Sequence, residues 1–401
     1  GVSFSTGIGH FGSSTKLWFR NALNNFRFVN EDAPGGPETL RRTNAASHMK
    51  GLLQDFTFSN RRNKLSVHLW LNDAYRLLPS AVTTVQNNLG ENQKDRSVRA
   101  ALNYSFSGSK IKSEINAGYG NDINIYNYDI ADVHGNNRSE SYNLNSSLRF
   151  APSKSLRVCF SIGDELQKAS SLSYPVTHFR NMLSASVNAD INLTERVLLQ
   201  AQVRNILVSA SGFNPEFTIG ASYKADREGV NIIKGNITHN LKYPSLNDLY
   251  WNPGGNSSLK PEVSTGGELS FSHSGSKENR IYTIMSVTLF DAQVTDLIQW
   301  LQGSNSYWEA RNLKSVNAGG AEMSATTIYN PGQARLKLIT SYAYTRSVMT
   351  ASGISGDASA GKQLIYIPAH VFNLGLNCEY GVFHAQSSLL YNSRRYIVSD
   401  N

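Results

Sequence analysis

Cysteine is almost absent from this chain. Only Cys159 and Cys378 occur in 401 residues, far apart and on different expected strands, so neither a disulfide framework nor a zinc or redox spacing is present. Long apolar runs are missing as well. Every apolar stretch is broken within a few residues by Ser, Asn, Lys or Arg, whereas a membrane-spanning helix needs roughly 20 apolar residues in a row. Helical membrane proteins are thereby excluded. Charge is sparse, at 17% of residues, yet lopsided, with a net charge of +8. The cations are scattered singly, the densest groups being Arg41-Arg42, Arg61-Arg62 and Arg394-Arg395. Nucleic-acid recognition needs a continuous basic face and is not expected. The nine histidines show no paired metal-ligand spacing, and no G-x-S-x-G elbow is present; neither catalysis nor a cofactor is expected. The acidic stretch Asp129 to Asp132 has carboxylates that calcium would accept, but reads first as solvated loop charge. The chain opens at Gly1 with no initiator Met or apolar leader, so an export signal is expected to have been removed or to lie upstream.

What is present is strand pattern from end to end. The mean hydropathy of -0.35 suits a soluble protein, but equally a transmembrane β-barrel, in which each strand puts apolar side chains on one face and polar ones on the other. Within Gln333 to Tyr344, one face carries Ala334, Leu336, Leu338, Tyr342 and Tyr344, and the other Gln333, Arg335, Lys337 and Ser341. Leu65, Val67, Leu69 and Leu71 alternate with Lys64, Ser66, His68 and Asn72. Val197, Leu199, Ala201, Val203 and Leu207 alternate with Arg196, Gln200, Gln202 and Arg204. A soluble sandwich would alternate in the same way.

The connections separate the two. Roughly eighteen candidate strands are joined alternately by tight turns and longer loops, as in outer-membrane barrels. The tight set is Gly12-Ser13-Ser14, Asn60 to Asn63, Gly108-Ser109, Pro152 to Ser155, Asn192 to Glu195, Ala225 to Gly229, Gly275 to Asn279, Asn330 to Gln333 and Gly381-Val382. The long set is 29–44, 79–94, 127–138, 171–177, 209–213, 242–262, 301–310 and 349–366. Strands entering the tight turns end in an aromatic, namely Phe58, Phe106, Phe150, Tyr223, Phe271, Tyr329 and Tyr380, which is the level at which an interfacial girdle would sit. Gly7-Ile8-Gly9-His10-Phe11-Gly12 has dinucleotide-binding glycine spacing, but the strand-like Lys16-Leu17-Trp18-Phe19 follows where that motif needs a helix; the glycines read as a strand end at a turn. No domain boundary is indicated within residues 1–401.

One segment carries more information. Tyr243-Pro244-Ser245-Leu246-Asn247-Asp248-Leu249-Tyr250-Trp251-Asn252-Pro253-Gly254-Gly255-Asn256-Ser257-Ser258-Leu259-Lys260-Pro261-Glu262 is an extended entry, a Pro/Gly/Asn-rich loop and a second proline leading into a strand. It resembles the barrel signature of TonB-dependent receptors, with Lys242 where that family more often has Arg. A second match follows in order, Asp296-Leu297-Ile298-Gln299-Trp300 and then Asn312, Val316, Gly320 and Glu322. Within the family, Tyr250 to Asn256, Arg41-Arg42-Thr43-Asn44-Ala45 and Tyr391-Asn392-Ser393-Arg394-Arg395-Tyr396 resemble cobalamin (vitamin B12) receptors of Bacteroides-like bacteria.

The resemblance implies an all-β antiparallel transmembrane barrel, of which this chain would be about 18 strands out of about 22, lacking the plug, the first strand and the last three. It implies a Gram-negative outer-membrane receptor that takes up a bulky solute, cobalamin before others, with energy from the TonB complex acting through the absent plug region. Outer-membrane lipid and a surface lipoprotein are further partners it allows. A ferric siderophore or haem receptor of the same fold and a passive eighteen-stranded porin remain as rivals. Arg196, Gln200, Gln202, Arg204, Arg335 and Lys337 are expected on the polar wall of the lumen. Aromatic and amide groups on the long loops would hold a bulky ligand; the candidates are Tyr250, Trp251, Asn252, Trp300, Tyr307 and Trp308.

Overall fold

The computed structural model describes residues 1–31, 33–80, 90–129, 132–208, 212–275, 280–302, 307–352 and 359–397, with backbone alone at 313 and 314. Parts of the expected connections 29–44, 79–94, 127–138, 209–213, 275–279, 301–310 and 349–366 therefore lie outside the described residues. The elements are β1 (Val2–Ile8), β2 (Phe11–Ala22), β3 (Arg27–Asn30), β4 (Glu38–Arg41), β5 (Ser47–Ser59), β6 (Asn63–Leu77), β7 (Asn92–Ser107), β8 (Ile111–Tyr128), β9 (Val133–Phe150) and β10 (Leu156–Ser170). They continue with β11 (His178–Asn192), β12 (Val197–Val208), β13 (Pro215–Lys224), β14 (Asn231–Lys242), α1 (Leu246–Tyr250), β15 (Glu262–Ser274), β16 (Ile281–Gln302), β17 (Trp308–Tyr329), β18 (Ala334–Ser352), β19 (His370–Tyr380) and β20 (Phe383–Asn392). Among the described residues eighteen strands carry sheet ladders, and β3 with β4 forms a separate ribbon, in accord with the strand count read from the sequence.

The chain divides into two compact units. In the first, β1, β2, β5, β6, β7, β8 and β9 pair in that order, each antiparallel to the next. In the second, β13 to β20 do the same. Strands β10, β11 and β12 are divided between the units. Up-and-down pairing of neighbours is what short turns enforce, because an antiparallel hairpin needs only two connecting residues.

Local chemistry makes those turns. Gly9 and Gly381 adopt positive φ (58° and 59°) in two-residue connections, a conformation glycine enters without a Cβ penalty. Elsewhere a short polar side chain closes the turn. Asn60 Oδ1 accepts from the Arg62 and Asn63 amides at 3.0 and 2.8 Å. Ser153 Oγ accepts from Ser155 and Leu156 at 3.2 and 3.1 Å, and Thr194 Oγ1 from Arg196 and Val197 at 3.1 and 3.0 Å. Asp226 accepts from Val230 and Asn231 at 2.7 and 2.6 Å.

Three expectations are corrected. Gly12-Ser13-Ser14 is not a turn but lies inside β2, paired with Gly7, Thr6 and Ser5; the turn falls at Gly9-His10, because Gly12 pairs across the strand with no need for positive φ. Segment 127–138 is mostly strand, since β8 runs to Tyr128 and β9 begins at Val133; its Asn and His side chains pair across the ladder, as His134 does with Asn127 at 3.3 Å. Arg196 sits in the turn before β12, where its carbonyl accepts the Lys224 amide at 2.9 Å, rather than on a strand wall. Asp129 and Asp132 are strongly exposed beside His134.

Packing is inverted relative to a soluble sheet. Registers place Phe271, Val287, Met323, Tyr342, Phe372 and Tyr391 in one row across β15 to β20, and Ser272, Ser286, Ser324, Ser341 and Asn373 in the adjacent row. Phe271, Met323, Tyr342 and Tyr391 are exposed, while the serine row is tied together, Ser286 to Ser324 at 2.8 Å and Asn373 to Ser341 at 3.0 Å. The first unit repeats this, with Leu65 and Val67 exposed and Ser66 buried. A sheet that hydrogen-bonds its polar face and leaves an apolar face bare has lipid, not water, as the fitting solvent for that face. Of the girdle aromatics, Phe58, Phe150, Tyr223, Phe271, Tyr329 and Tyr380 are exposed at the tight-turn ends of their strands.

Candidate functional site

Among the connections at the long-loop end, residues 243–261 between β14 and β15 are held by a dense set of bonds, all within the second unit. Ser245 caps α1: its Oγ accepts the Asp248 amide at 3.1 Å, and Asp248 Oδ2 accepts from the Ser245 amide at 2.9 Å, the reciprocal arrangement of a capping box. The free carboxylate oxygen of Asp248 reaches the neighbouring hairpin, where Trp300 Nε1 donates to Oδ1 at 2.8 Å. Beyond α1, the Asn256 amide donates to the Asp248 carbonyl at 2.7 Å, and the Ala310 amide of β17 donates to the Gly254 carbonyl at 2.8 Å. Asn256 Nδ2 returns a bond to the Ala310 carbonyl at 3.3 Å.

Asn312 on β17 holds the rest. Its Oδ1 accepts the Lys260 amide at 2.8 Å, and its Nδ2 donates to the Lys260 and Asp296 carbonyls at 3.0 and 2.7 Å. Asp296 has φ 54° within a register irregularity between Val294 and Leu297, a bulge that turns its carbonyl toward Asn312. Glu262, buried, accepts from the Ile298 amide at 3.0 Å and from Lys242 Nζ at 3.1 Å. The two separated motif matches thus form one physical unit, a latch fixing loop 243–261 onto the β16–β17 hairpin.

The ligand candidates fall around this latch. Tyr250 ends α1 and Trp251 and Asn252 follow it, Trp300 is bonded to Asp248, and the Trp308 carbonyl lies against Gly254, with Tyr307 immediately before it. Trp308 and Asn252 are exposed, whereas Tyr250, Trp251, Trp300 and Tyr307 are half-buried. The Trp300 indole N–H is committed to the latch, which leaves its ring as the part available for contact. Of the expected polar-wall residues, Arg204 is paired with buried Glu216 through Nε at 2.7 Å and Nη2 at 3.0 Å. Gln200 donates to Asp190 at 2.9 Å, Arg335 faces Glu379 at 3.9 Å, and Lys337 is in register with Asn377. What the sequence reading missed is that Glu262 and Asn312 act on the backbone of other segments and Asp248 on the Trp300 side chain; the signal was the match of both motifs in order.

Burial opposes the charge on Asp248, but hydrogen bonds from Ser245 and Trp300 outweigh it and hold the carboxyl below its usual range. A folded-state pKa lower than the unfolded value means that this contribution is complete above about pH 4 and is lost as pH falls through the folded value. Trp300→Phe removes the donor while keeping a ring. It is expected to cost about 1 kcal/mol at neutral pH after allowance for solvent screening, and to weaken the acid dependence of the latch. Hydrogen exchange of the 245–256 amides, normalised to intrinsic rates from pH 3 to 7, checks it; a variant with unchanged protection would remove the assigned role of Trp300.

Known proteins share this architecture. A family model described as TonB dependent receptor-like, beta-barrel, matches residues 5–401. A curated relative, the vitamin B12 transporter BtuB of Vibrio vulnificus (strain YJ016), is 28% identical over 130 residues, covering 32% of this chain and 20% of that protein. The FrpB iron transporter from Neisseria meningitidis (F3-3 variant) superposes with a TM-score of 0.72 at 12% identity, covering 97% of this chain and 65% of that one. The ferric-catecholate import receptor Fiu from E. coli K12 gives 0.72 at 10% identity, covering 98% and 69%. The chain therefore spans about two thirds of those solved structures and matches a fifth of the curated relative; at such identities the structural likeness is one of fold.

Proposed function

The chain belongs to the TonB-dependent receptor β-barrel family, and from that premise we propose that it forms barrel wall in a Gram-negative outer-membrane receptor importing a bulky solute. The observation that carries this is the inverted sheet, whose bare apolar rows require lipid while its serine, amide and ion-paired rows suit an aqueous interior. Exposed aromatics at the tight-turn ends are where the periplasmic interface would lie. Energy would come from the TonB complex acting through a plug region.

Cobalamin is the solute we favour, as in receptors of Bacteroides-like bacteria. The partial similarity to a vitamin B12 transporter and the Tyr250 to Asn256 loop support it. The ligand would meet the aromatic and amide groups of Tyr250, Trp251, Asn252, Trp300, Tyr307 and Trp308 around the latch, and a surface lipoprotein would be a compatible cap. The rival is a ferric chelate, favoured by the iron-transporting proteins that share the fold. In a receptor-deletion strain, labelled cobalamin uptake is expected to be lost, restored by the gene, and abolished when TonB is removed. Undiminished cobalamin uptake with loss of growth on iron chelates would transfer the assignment to the rival. Uptake independent of TonB would overturn active import itself.

A further inference from the structure

A second place in the fold has the makings of a binding site, and it lies in the first unit. A cavity of about 510 Å³ opens where the ends of β2, β5 and β6 meet the connection 23–46. Registers align Arg20 with Met49 and Met49 with Ala74. Arg20 and Arg76 lie at positions that alternate away from the exposed Leu17 and Phe19 and from Leu65 and Val67, so both belong to the polar face. Arg42 and Phe26 close the cavity from the connection.

Arg42 is positioned by backbone. Its amide donates to the Phe26 carbonyl at 2.9 Å, just beyond the β3–β4 ribbon. Two residues on, Asn44 takes φ 48° and donates through Nδ2 to the Leu78 and Glu91 carbonyls at 2.8 and 2.9 Å. Asn24 pins the other side by donating to the Ala45 carbonyl at 2.8 Å. The Arg41 to Ala45 stretch is thus anchored at both ends, with Arg42 between the anchors.

Charge in the cavity is not balanced. Arg76 is paired with Asp95, but neither Arg20 nor Arg42 has a side-chain hydrogen bond or ion pair among the described residues. Moreover, Arg42 Nη1 is shielded from solvent with no hydrogen-bond partner among the described residues. A guanidinium nitrogen held dry and unpaired is a donor lacking its acceptor. Phe26, Met49 and Ala74 give the same cavity an apolar lining. We propose that it binds a small water-soluble organic oxyanion, a carboxylate or phosphate on a short apolar body and not a lipid, with Arg42 and Arg20 as the donors. Guanidinium geometry matches either oxyanion bidentately. The site is separate from the latch and is inferred without reference to import.

The test uses the full-length receptor in an uncharged detergent, titrated calorimetrically with phenyl phosphate, benzoate and the neutral benzyl alcohol. Binding of at least one anion is expected, weakened by salt, with benzyl alcohol inert. Arg42→Gln and Arg20→Gln should each weaken it roughly tenfold, while Arg61→Gln, in the Asn60 to Asn63 turn, should not. Phenyl phosphate bound and benzoate not would define the site as one for phosphate; the reverse would define it for carboxylate. Equal binding by all three variants, equal binding of benzyl alcohol, or no binding of either anion would overturn the proposal. So would recovery of phospholipid on the wild-type protein that is lost in Arg42→Gln, since the occupant would then be lipid.

Discussion

Adding one methyl group at Gly254 is expected to release the 252–261 segment from β17 and to abolish uptake while leaving the strands intact. Gly254 has φ 111°, a region closed to side chains that carry a Cβ. An ideal Cβ there would stand 1.9 Å from the Trp308 carbonyl oxygen and 3.2 Å from Trp300 Cζ3. The first of those is backbone and cannot rotate aside. The loop must retreat, and in doing so it gives up the Ala310 amide bond to the Gly254 carbonyl and the Asn256 bonds that depend on it. Backbone strain and overpacking together set the cost at about 3 kcal/mol or more. The long β16–β17 ladder does not depend on that loop, so damage should stay local. Hydrogen exchange in Gly254→Ala should show lost protection across 254–260, against no change in Gly212→Ala, where nothing lies within 4 Å of the added carbon. Retained protection in Gly254→Ala would refute the latch.

Glu262→Ala should be the next most damaging change, and Glu262→Gln should recover most of the loss. Two partners are involved, and they differ in weight. Lys242 has a side chain 74% exposed, so solvent screens its attraction and little stability rides on it. The Ile298 amide is different: it sits at the second register irregularity of β16, and its acceptor is Glu262 Oε1 at 3.0 Å. Removing the acceptor leaves that N–H in a half-buried position without a partner, at a cost of about 2 kcal/mol. Glutamine keeps an amide oxygen for it, and less than half of that loss is expected. Thermal unfolding of the full-length receptor in detergent measures both variants. If glutamine proves as harmful as alanine, the charge pair with Lys242 carries the stability and the Ile298 amide is the lesser partner.

Both predictions concern residues whose importance could be seen in the chain but whose partners could not. The Tyr243 to Glu262 run and the Asp296 to Glu322 run were legible as matches to a family. That Asn312 of the second binds Lys260 of the first, or that Trp300 binds Asp248, 52 residues away, was not, because sequence contains no record of register between separate hairpins. The same gap misassigned the glycines near the first turn: both Gly9 and Gly12 look like turn residues, and only the pairing of Gly12 with Gly7 shows which one carries positive φ. It also hid the cavity, since Arg41-Arg42 reads as a basic doublet until β2, β5 and β6 bring Arg20 and Arg76 beside it.

What the sequence determined by itself is everything with a period of two. Alternation sets which face of each strand is apolar, because successive Cβ atoms point to opposite sides, and short polar breaks set where hairpins reverse. Those are properties of neighbours along the chain. The tertiary structure alone decided which side chains from distant hairpins share a level, and hence which carboxylate caps which amide and which guanidinium is left without an acceptor. Register is a property of two strands at once, fixed by the sum of many ladder bonds and by bulges such as that at Asp296.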